Sequence, residues 1–463
     1  MKENTMIRDF TKGNLPGQML RFSVPFMISN ALQVVYAIVD MIVVGNVLGS
    51  PGLAAVATAS QVSTLMTMVC LGFSTGAQVY ISQLIGAGRQ RELNATIGTM
   101  TSMLALMGAV IGALGLLFAP WILTLLNTPD VSFDMAVSYL RICAGGILVT
   151  YGYNAVSAVL RGMGDSVQPC IYIIIAALVN LGLDLWFVRG LGWGVPGAAI
   201  ATIIGQAVSF FTAVVHLYRN REAFGFDFRR ESFRIDRPVA QKLTGLGLPM
   251  ALRSASVNIS MLFVTGLVNS VGPEAASVFG VGLKVDDVAH KISMGVNYSV
   301  STVTGQNFAA RNFKRTEQAV WWGWFYSLII YLIFTVAYVS DIEGLFRLFT
   351  QEQAVLDLAP VFVRAILWSF PAMLLMRGAN GLIQGIGNAR LSFIFAVLDS
   401  LVLRIGLSYL LGVVLGHGLY GFILGYGLAA YGTAIPGTIY FFSGIWKRRA
   451  PYLAEPEPQD TPS

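Results

Sequence analysis

Twelve apolar runs, most of them twenty residues or longer, follow one another along the chain, and that pattern leaves few folds open. They cover residues 18–45, 53–85, 93–124, 134–160, 167–190 and 196–218, then 243–270, 275–307, 318–340, 355–384, 391–415 and 420–445. A helix needs about 20 apolar residues to cross the hydrocarbon of a bilayer. In lipid the backbone must also satisfy its own polar groups, which a helix does within one segment. Only 12% of the 463 residues are charged and 55% are hydrophobic, against roughly 25% charged in a soluble domain. The cores of soluble domains cannot hide so much apolar surface. The expected class is all-α integral membrane, with the longer runs tilted or extended past the bilayer.

A second regularity orders the runs. Arg161-Gly162-Met163-Gly164 reappears as Gln384-Gly385-Ile386-Gly387, 223 positions on (385 − 162 = 223). The same offset relates Gly72 to Gly295, Gln83 to Gln306, Ala87 to Ala310 and Arg141 to Arg364, while Pro25 and Pro249 stand 224 apart. Each half holds six runs, an even number, so both halves enter the membrane in the same sense. This predicts twelve transmembrane helices in two six-helix lobes, related by a parallel pseudo-twofold along the membrane normal, as in secondary transporters. The lobes are expected at 1–218 and 243–446. A polar linker, 219–242, joins them, and a tail, 447–463, follows.

Basic residues collect in alternate loops: the amino terminus, the 86–92 turn, the 161–165 turn, the linker, the 311–315 and 388–390 turns, and the carboxyl end. The positive-inside bias predicts cytoplasmic termini. It also accounts for the net charge of +6, so no nucleic-acid partner is expected. Residues 1–18 show no pattern of a cleavable leader. Cys70, Cys143 and Cys170 have no metal-ligand spacing and read as small buried hydrophobes.

Charges inside apolar runs are the informative ones. Asp40 ends the run Val34-Val35-Tyr36-Ala37-Ile38-Val39, and Asp184 follows Asn180 by four residues, on one helix face. A carboxylate at the centre of a span is unfavourable by about 2.5–3.5 kcal/mol unless it faces a wet cavity, shares a proton or binds a cation. The alternative is that either group sits near a helix end and reaches water. Gln33, Tyr36 and Asp40 form one stripe on the first run. Pro25, upstream, lacks an N–H and should bend that helix, either as part of a switch or as a static kink. On the eighth run, Lys284, Asp286 and Asp287 gather near His290. Lys284 and Asp287, three apart, have the spacing of a pair, and contact with substrate or ion is the other reading. Asp399 and Arg404 are a candidate buried pair.

Several of these motifs carry a family resemblance. Pro25, Val39-Asp40, Val44-Gly45 and Leu53-Ala54-Ala55 resemble the opening of the multidrug and toxic compound extrusion family. So do Gly76-Ala77-Gln78, Gly86-Ala87-Gly88, Arg161-Gly162-Met163-Gly164-Asp165 and Gly194-Val195-Pro196-Gly197-Ala198-Ala199. The resemblance covers nearly the whole chain. It implies a bacterial plasma-membrane exporter that exchanges protons or sodium ions for small organic, often cationic, drugs. It also implies a cation-coupling site at Asp40, Asn180, Asp184 and Thr202, with a possible sodium ion at the first three and no other cofactor. Pro25, Gln33, Tyr36, Lys284, Asp286 and Asp287 are then expected in the substrate cavity or its gate. The seventh run departs from one version of the pattern: it has no carboxylate, and Arg253 stands there. Lys284-Val285-Asp286 resembles a subgroup of bacterial members.

The expected function is therefore a monomeric antiporter working by alternating access, surrounded by membrane lipid. A flippase for lipid-linked oligosaccharides, of the same superfamily, is the alternative, kept open by Arg253, Arg377 and Arg404. No nucleophile–base set or phosphate loop suggests an enzyme.

Overall fold

A computed structural model of the protein describes residues 7–126 and 128–452, with the side chains of residues 35–42, 46 and 50 left outside the description. The described chain is helical and contains no strand among the described residues. Helices α1 (15–48) and α2 (Pro51–Gly86) run on from one another except at Gly49, whose φ of 65° only glycine adopts readily. Backbone angles stay helical through Pro25, so the break falls at the glycine and not at the proline. Then come α3 (Gln90–Leu125), α4 (Asp130–Gly162), α5 (Val167–Gly190), α6 (Gly194–Arg219), α7 (Arg237–Asn269), α8 (Pro273–Ala309) and α9 (Phe313–Ser340). Helix α10 is in two pieces, Gln353–Ile366 and Ser369–Gly385, bent by 50°, followed by α11 (Ala389–Val414) and α12 (Gly418–Phe442).

Among the described residues, nine helices are long and apolar enough to cross a membrane, and the bent α10 makes a tenth. Helix α8 is not one of them: it buries Ser299, Ser301, Thr302, Thr304, Gln306 and Asn307 along its second half. Outward faces are greasy where lipid would lie, as at Leu117 and Trp121 of α3 and Val336 and Val339 of α9.

The repeat is visible in the helix crossings. A Cβ on Gly72 would stand 2.5 Å from Ala251 Cα, and one on its mate Gly295 would stand 3.0 Å from Met27 N. Helix α2 thus crosses α7 as α8 crosses α1, each through a glycine that admits close backbone approach.

At one end of the molecule the two halves are stitched together. Gln78 Nε2 donates to Thr302 Oγ1 (2.9 Å), and Gln83 Nε2 donates to the Gly385 carbonyl (2.7 Å). Both terminal segments lie here. Phe10 N donates to Gln306 Oε1 (2.8 Å), Gln306 Nε2 to Arg8 O (3.1 Å), and Arg8 N to Met163 O (3.0 Å). Tyr452 N donates to Gln83 Oε1 (2.7 Å). Gln83 and Gln306 are repeat mates, and each clasps a chain terminus.

Two segments carry more structure than their sequence reveals. The 219–242 segment is docked as well as connecting: Phe224 and Phe226 are buried, Ser102 Oγ of α3 donates to Phe233 O (2.6 Å), and Asp236 N donates to Thr99 Oγ1 (3.1 Å). Asp236 also caps α7, accepting from Val239 N at 2.9 Å, which starts that helix before residue 243. The run 355–384 is one apolar stretch in sequence and a bent pair in space.

Candidate functional site

A cavity of about 560 Å³ lies between α2 and the carboxyl-terminal helices. That volume is within the range of small-molecule sites, about 300–1,000 Å³. Helix α2 contributes Met68, Leu71 and Thr75, and the opposite walls carry Arg253, Lys284, Asp286, Asp287, His290, Arg377, Asp399, Arg404 and Tyr426. Methionines supply much of the apolar lining, a soft surface that adapts to varied shapes.

The charges in this cavity are unequally partnered. Arg404 Nη2 donates to Asp399 Oδ1 at 3.1 Å, with both side chains buried. Five residues separate them, which is not α-helical neighbour spacing. Leu398–Arg404 is a π-helical turn, bonded i to i+5, and that local rewinding suits the spacing of this pair. Arg404 also lies over the Tyr426 ring, 4.9 Å from its centroid. Asp287 pairs with Lys291 at 3.1 Å, four residues on. This corrects the expected Lys284–Asp287 pair: no ion pair joins those two among the described residues, and Lys284 is exposed. A carboxylate with a lysine four residues C-terminal is the favoured helical orientation.

Arg377, 2% exposed, makes its hydrogen bonds to neutral groups alone among the described residues. Its Nε donates to Ser293 Oγ (2.9 Å), and Nη2 donates to His290 Nδ1 (3.0 Å), His290 O (3.3 Å) and Tyr331 OH (3.4 Å). A guanidinium only donates, so Nδ1 accepts and the His290 proton sits on Nε2. Arg253, half-buried on the wall, has no hydrogen bond or ion pair among the described residues.

A smaller cavity, about 290 Å³, lies in the amino half. Ser60, Ser63, Thr64, Thr67, Thr150 and Thr202 line it with Tyr139 and Gln206, and no charged side chain is in its lining. Behind Thr202 stands part of the expected coupling set. Asn180 Nδ2 donates to Thr202 Oγ1 (3.4 Å), and Thr202 donates to Ala198 O (3.0 Å). Asn180 and Asp184 are 2% and 1% exposed, one turn apart on α5. The π-helical turn Leu185–Gly190 begins directly after Asp184, a local rewinding often found at functional positions. Asn180 Oδ1 has no hydrogen-bond partner among the described residues.

The structure therefore joins Asn180, Asp184 and Thr202 in one place, and Lys284, Asp286 and Asp287 in another. The side chains of Asp40 and Tyr36 lie outside the described residues. Pro25 and Gln33 are not in the lining of either cavity, and Gln33 is exposed. Sequence reasoning pointed to the amino half for the chemistry and gave no weight to Asn258, Met294 or Tyr298 as cavity lining. The signals for the carboxyl-side cavity were the charges inside apolar runs, Arg253, Arg377, Asp399 and Arg404, beside the Lys284, Asp286 and Asp287 group.

Comparisons with known proteins agree with this architecture. The model of the MatE family matches residues 25–186 and again 249–410, which together make up more than half of the chain. A probable multidrug resistance protein of Bacillus subtilis is 28% identical over 439 residues, covering 95% of this chain and 97% of that protein. A second one from the same organism is 27% identical over 438 residues, covering 92% and 93%. Among solved structures, a MOP superfamily transporter from Pyrococcus furiosus, described as having a binding pocket of reverse polarity, superimposes with a TM-score of 0.90. It shares 23% identity and covers 97% of this chain and 99% of that one.

Proposed function

The chain belongs to the MatE family, and from that premise we propose that it is a secondary active multidrug efflux antiporter of a bacterial plasma membrane. The family is one of membrane transporters. In this reading α1–α6 and α7–α12 are two six-helix lobes, twelve spans in all, about a pseudo-twofold along the membrane normal. Their boundaries are 1–218 and 243–446, with the 219–242 linker and the tail from 447 on in the cytoplasm. The basic turns support a cytoplasmic position for the stitched end.

One observation carries the proposal: a drug-sized cavity lies between the halves, and Gln83 and Gln306 tie the halves and both terminal segments together at one end. A cavity between two halves that are tied at one end would suit one limb of alternating access. The monomer would bind small organic molecules there, as the names of the multidrug resistance relatives suggest for those proteins. Protons or sodium ions would couple at Asp184, Asn180 and Thr202 together with Asp40. A buried carboxylate in reach of amide and hydroxyl oxygens suits a hard cation or a shared proton. Cation binding in the amino half and substrate in the cavity would be mutually exclusive.

Drug-driven proton and sodium movement in proteoliposomes tests this. Asp40→Asn and Asp184→Asn should each abolish exchange in protein that remains folded. Wild-type exchange by both variants would sink the coupling assignment. The flippase reading is favoured by Arg253 and Arg377 alone, and it requires movement of a lipid-linked sugar with no drug efflux.

A further inference from the structure

We propose that the larger cavity is an oxyanion-recognition site, so that its substrates are amphiphiles bearing a carboxylate or phosphate group and not simple lipophilic cations. The inference rests on the transport reading above and names the substrate class for it.

The argument is a charge balance at named atoms. Asp399 is committed to Arg404, and Asp287 to Lys291, each at 3.1 Å. His290 is neutral by its hydrogen bonding to Arg377. Three cations remain on the wall without a carboxylate at ion-pair distance among the described residues: Arg253, Lys284 and Arg377. Asp286, buried in the same wall, is the one acidic residue left to set against them. A guanidinium in apolar surroundings is unfavourable unless it is paired, and an ionisable group at membrane depth marks a ligand path. The planar fork of arginine matches the two oxygens of a carboxylate or phosphate.

The repeat shows that these charges are additions and not scaffold. The position in the amino half that corresponds to Arg377 is Asn154, 223 residues earlier, which donates to Thr150 O (2.8 Å). Arg253 corresponds to Asn30 or Ser29, as Gly72 or Pro25 sets the register. Asn30 donates to Lys291 O at 2.8 Å and Ser29 to Phe26 O at 3.0 Å. Neutral residues that are already hydrogen-bonded in one half, Asn30 across to α8 and Asn154 within its own helix, thus become ligand-seeking cations in the other. Facing them across the cavity are Met68 and Leu71 of α2, an apolar surface for the body of an amphiphile.

Rhodamine 110 carries a free carboxylate, and rhodamine 123 is its methyl ester. Binding of each to the purified full-length protein is read by fluorescence polarisation, and uptake of each by proteoliposomes is read separately. The free acid should bind roughly ten- to a hundred-fold more tightly, the range of one charge-assisted bond. Arg253→Gln should bring that ratio close to one, and Arg253→Lys should keep part of it. Arg253 makes no hydrogen bond or ion pair among the described residues, so this variant tests the site even if Arg377→Gln misfolds. Equal or weaker binding of the acid, or an unchanged ratio in Arg253→Gln, overturns the proposal. Competition by phenyl phosphate against benzoate tells phosphate from carboxylate, and competition by neither also overturns it. Loss of transport for both dyes with the binding ratio intact would instead count against the efflux reading alone.

Discussion

Gln306→Ala should loosen the end of the molecule at which both termini are held. The side chain is fully buried, accepts from Phe10 N at 2.8 Å and donates to Arg8 O at 3.1 Å. Removing it strands a buried amide donor, worth about 1–3 kcal/mol, and loses a second bond worth about 0.5–1.5 kcal/mol. The sum, roughly 1.5–4.5 kcal/mol, is a ten-fold to two-thousand-fold shift between sealed and open ends. Water entering from the surface would move the effect toward the lower figure. Arg315 still grips the same segment through Phe10 O (2.7 Å), Lys12 O (2.8 Å) and Gly13 O (2.9 Å), so the segment should loosen at Arg8 and not detach. Ser82 is a suitable reporter: it is buried in the seam against Gly305, and its hydroxyl donates only to Val79 O of its own helix. With Cys70, Cys143 and Cys170 replaced, Ser82→Cys is exposed to a membrane-impermeant maleimide from the side bearing the termini. Labelling should quicken at least ten-fold in Gln306→Ala. Gln83→Ala, probed with a reporter on α8, should behave alike, and the two effects should add because the clasps share no partner. An unchanged labelling rate would refute the idea that these glutamines hold the end shut.

Three further outcomes follow from the geometry. Asp399→Asn leaves Arg404 buried without its counter-charge and should destabilise by about 3–5 kcal/mol, whereas Asp399→Leu with Arg404→Met should recover most of that in detergent melting curves. Gly72→Ala drives a methyl into the α7 backbone and should cost about 1–3 kcal/mol, while Gly182→Ala, with nothing within 4 Å, should be neutral or slightly stabilising in the same melting assay. In the segment docked on α3, the Ser232 hydroxyl, and after it the Arg229 amide, hold the Asp227 carboxyl below its ordinary value. That lowering favours docking at neutral pH and is lost as the pH falls through the depressed value. Ser232→Ala should raise the Asp227 pKa, so docking loosens at a higher pH, as read by hydrogen exchange over residues 225–236.

Chain segmentation was legible because it depends on local quantities. The apolar runs end within a few residues of most helix ends, and Gly72, Gly162, Gln83 and their mates at 223 stand at matching contacts. Where partner choice depends on helix rotation, the sequence was ambiguous. Asp287 could face Lys284 or Lys291, and the helix joins it to Lys291. Trp324 reads as part of an interfacial belt beside Trp321 and Trp322, yet it is buried and its Nε1 donates to Leu375 O at 2.8 Å. The 219–242 segment reads as polar linker because its arginines outnumber its phenylalanines, although Phe224 and Phe226 decide its position.

By itself, then, the sequence determined that this protein is a helical membrane chain built twice over. Apolar length and offset are properties read along one dimension, and the bilayer converts them into helices without further information. Only the tertiary structure decided that the larger cavity lies on the carboxyl side and that, among its charges without an ion pair in the described residues, Arg253, Lys284 and Arg377 stand against Asp286 alone. That outcome is set by which faces of α7, α8, α10 and α11 turn toward α2, and by a π-helical turn that puts Asp399 against Arg404. Pairing cancels some charges and leaves others, and pairing exists only once the helices have docked.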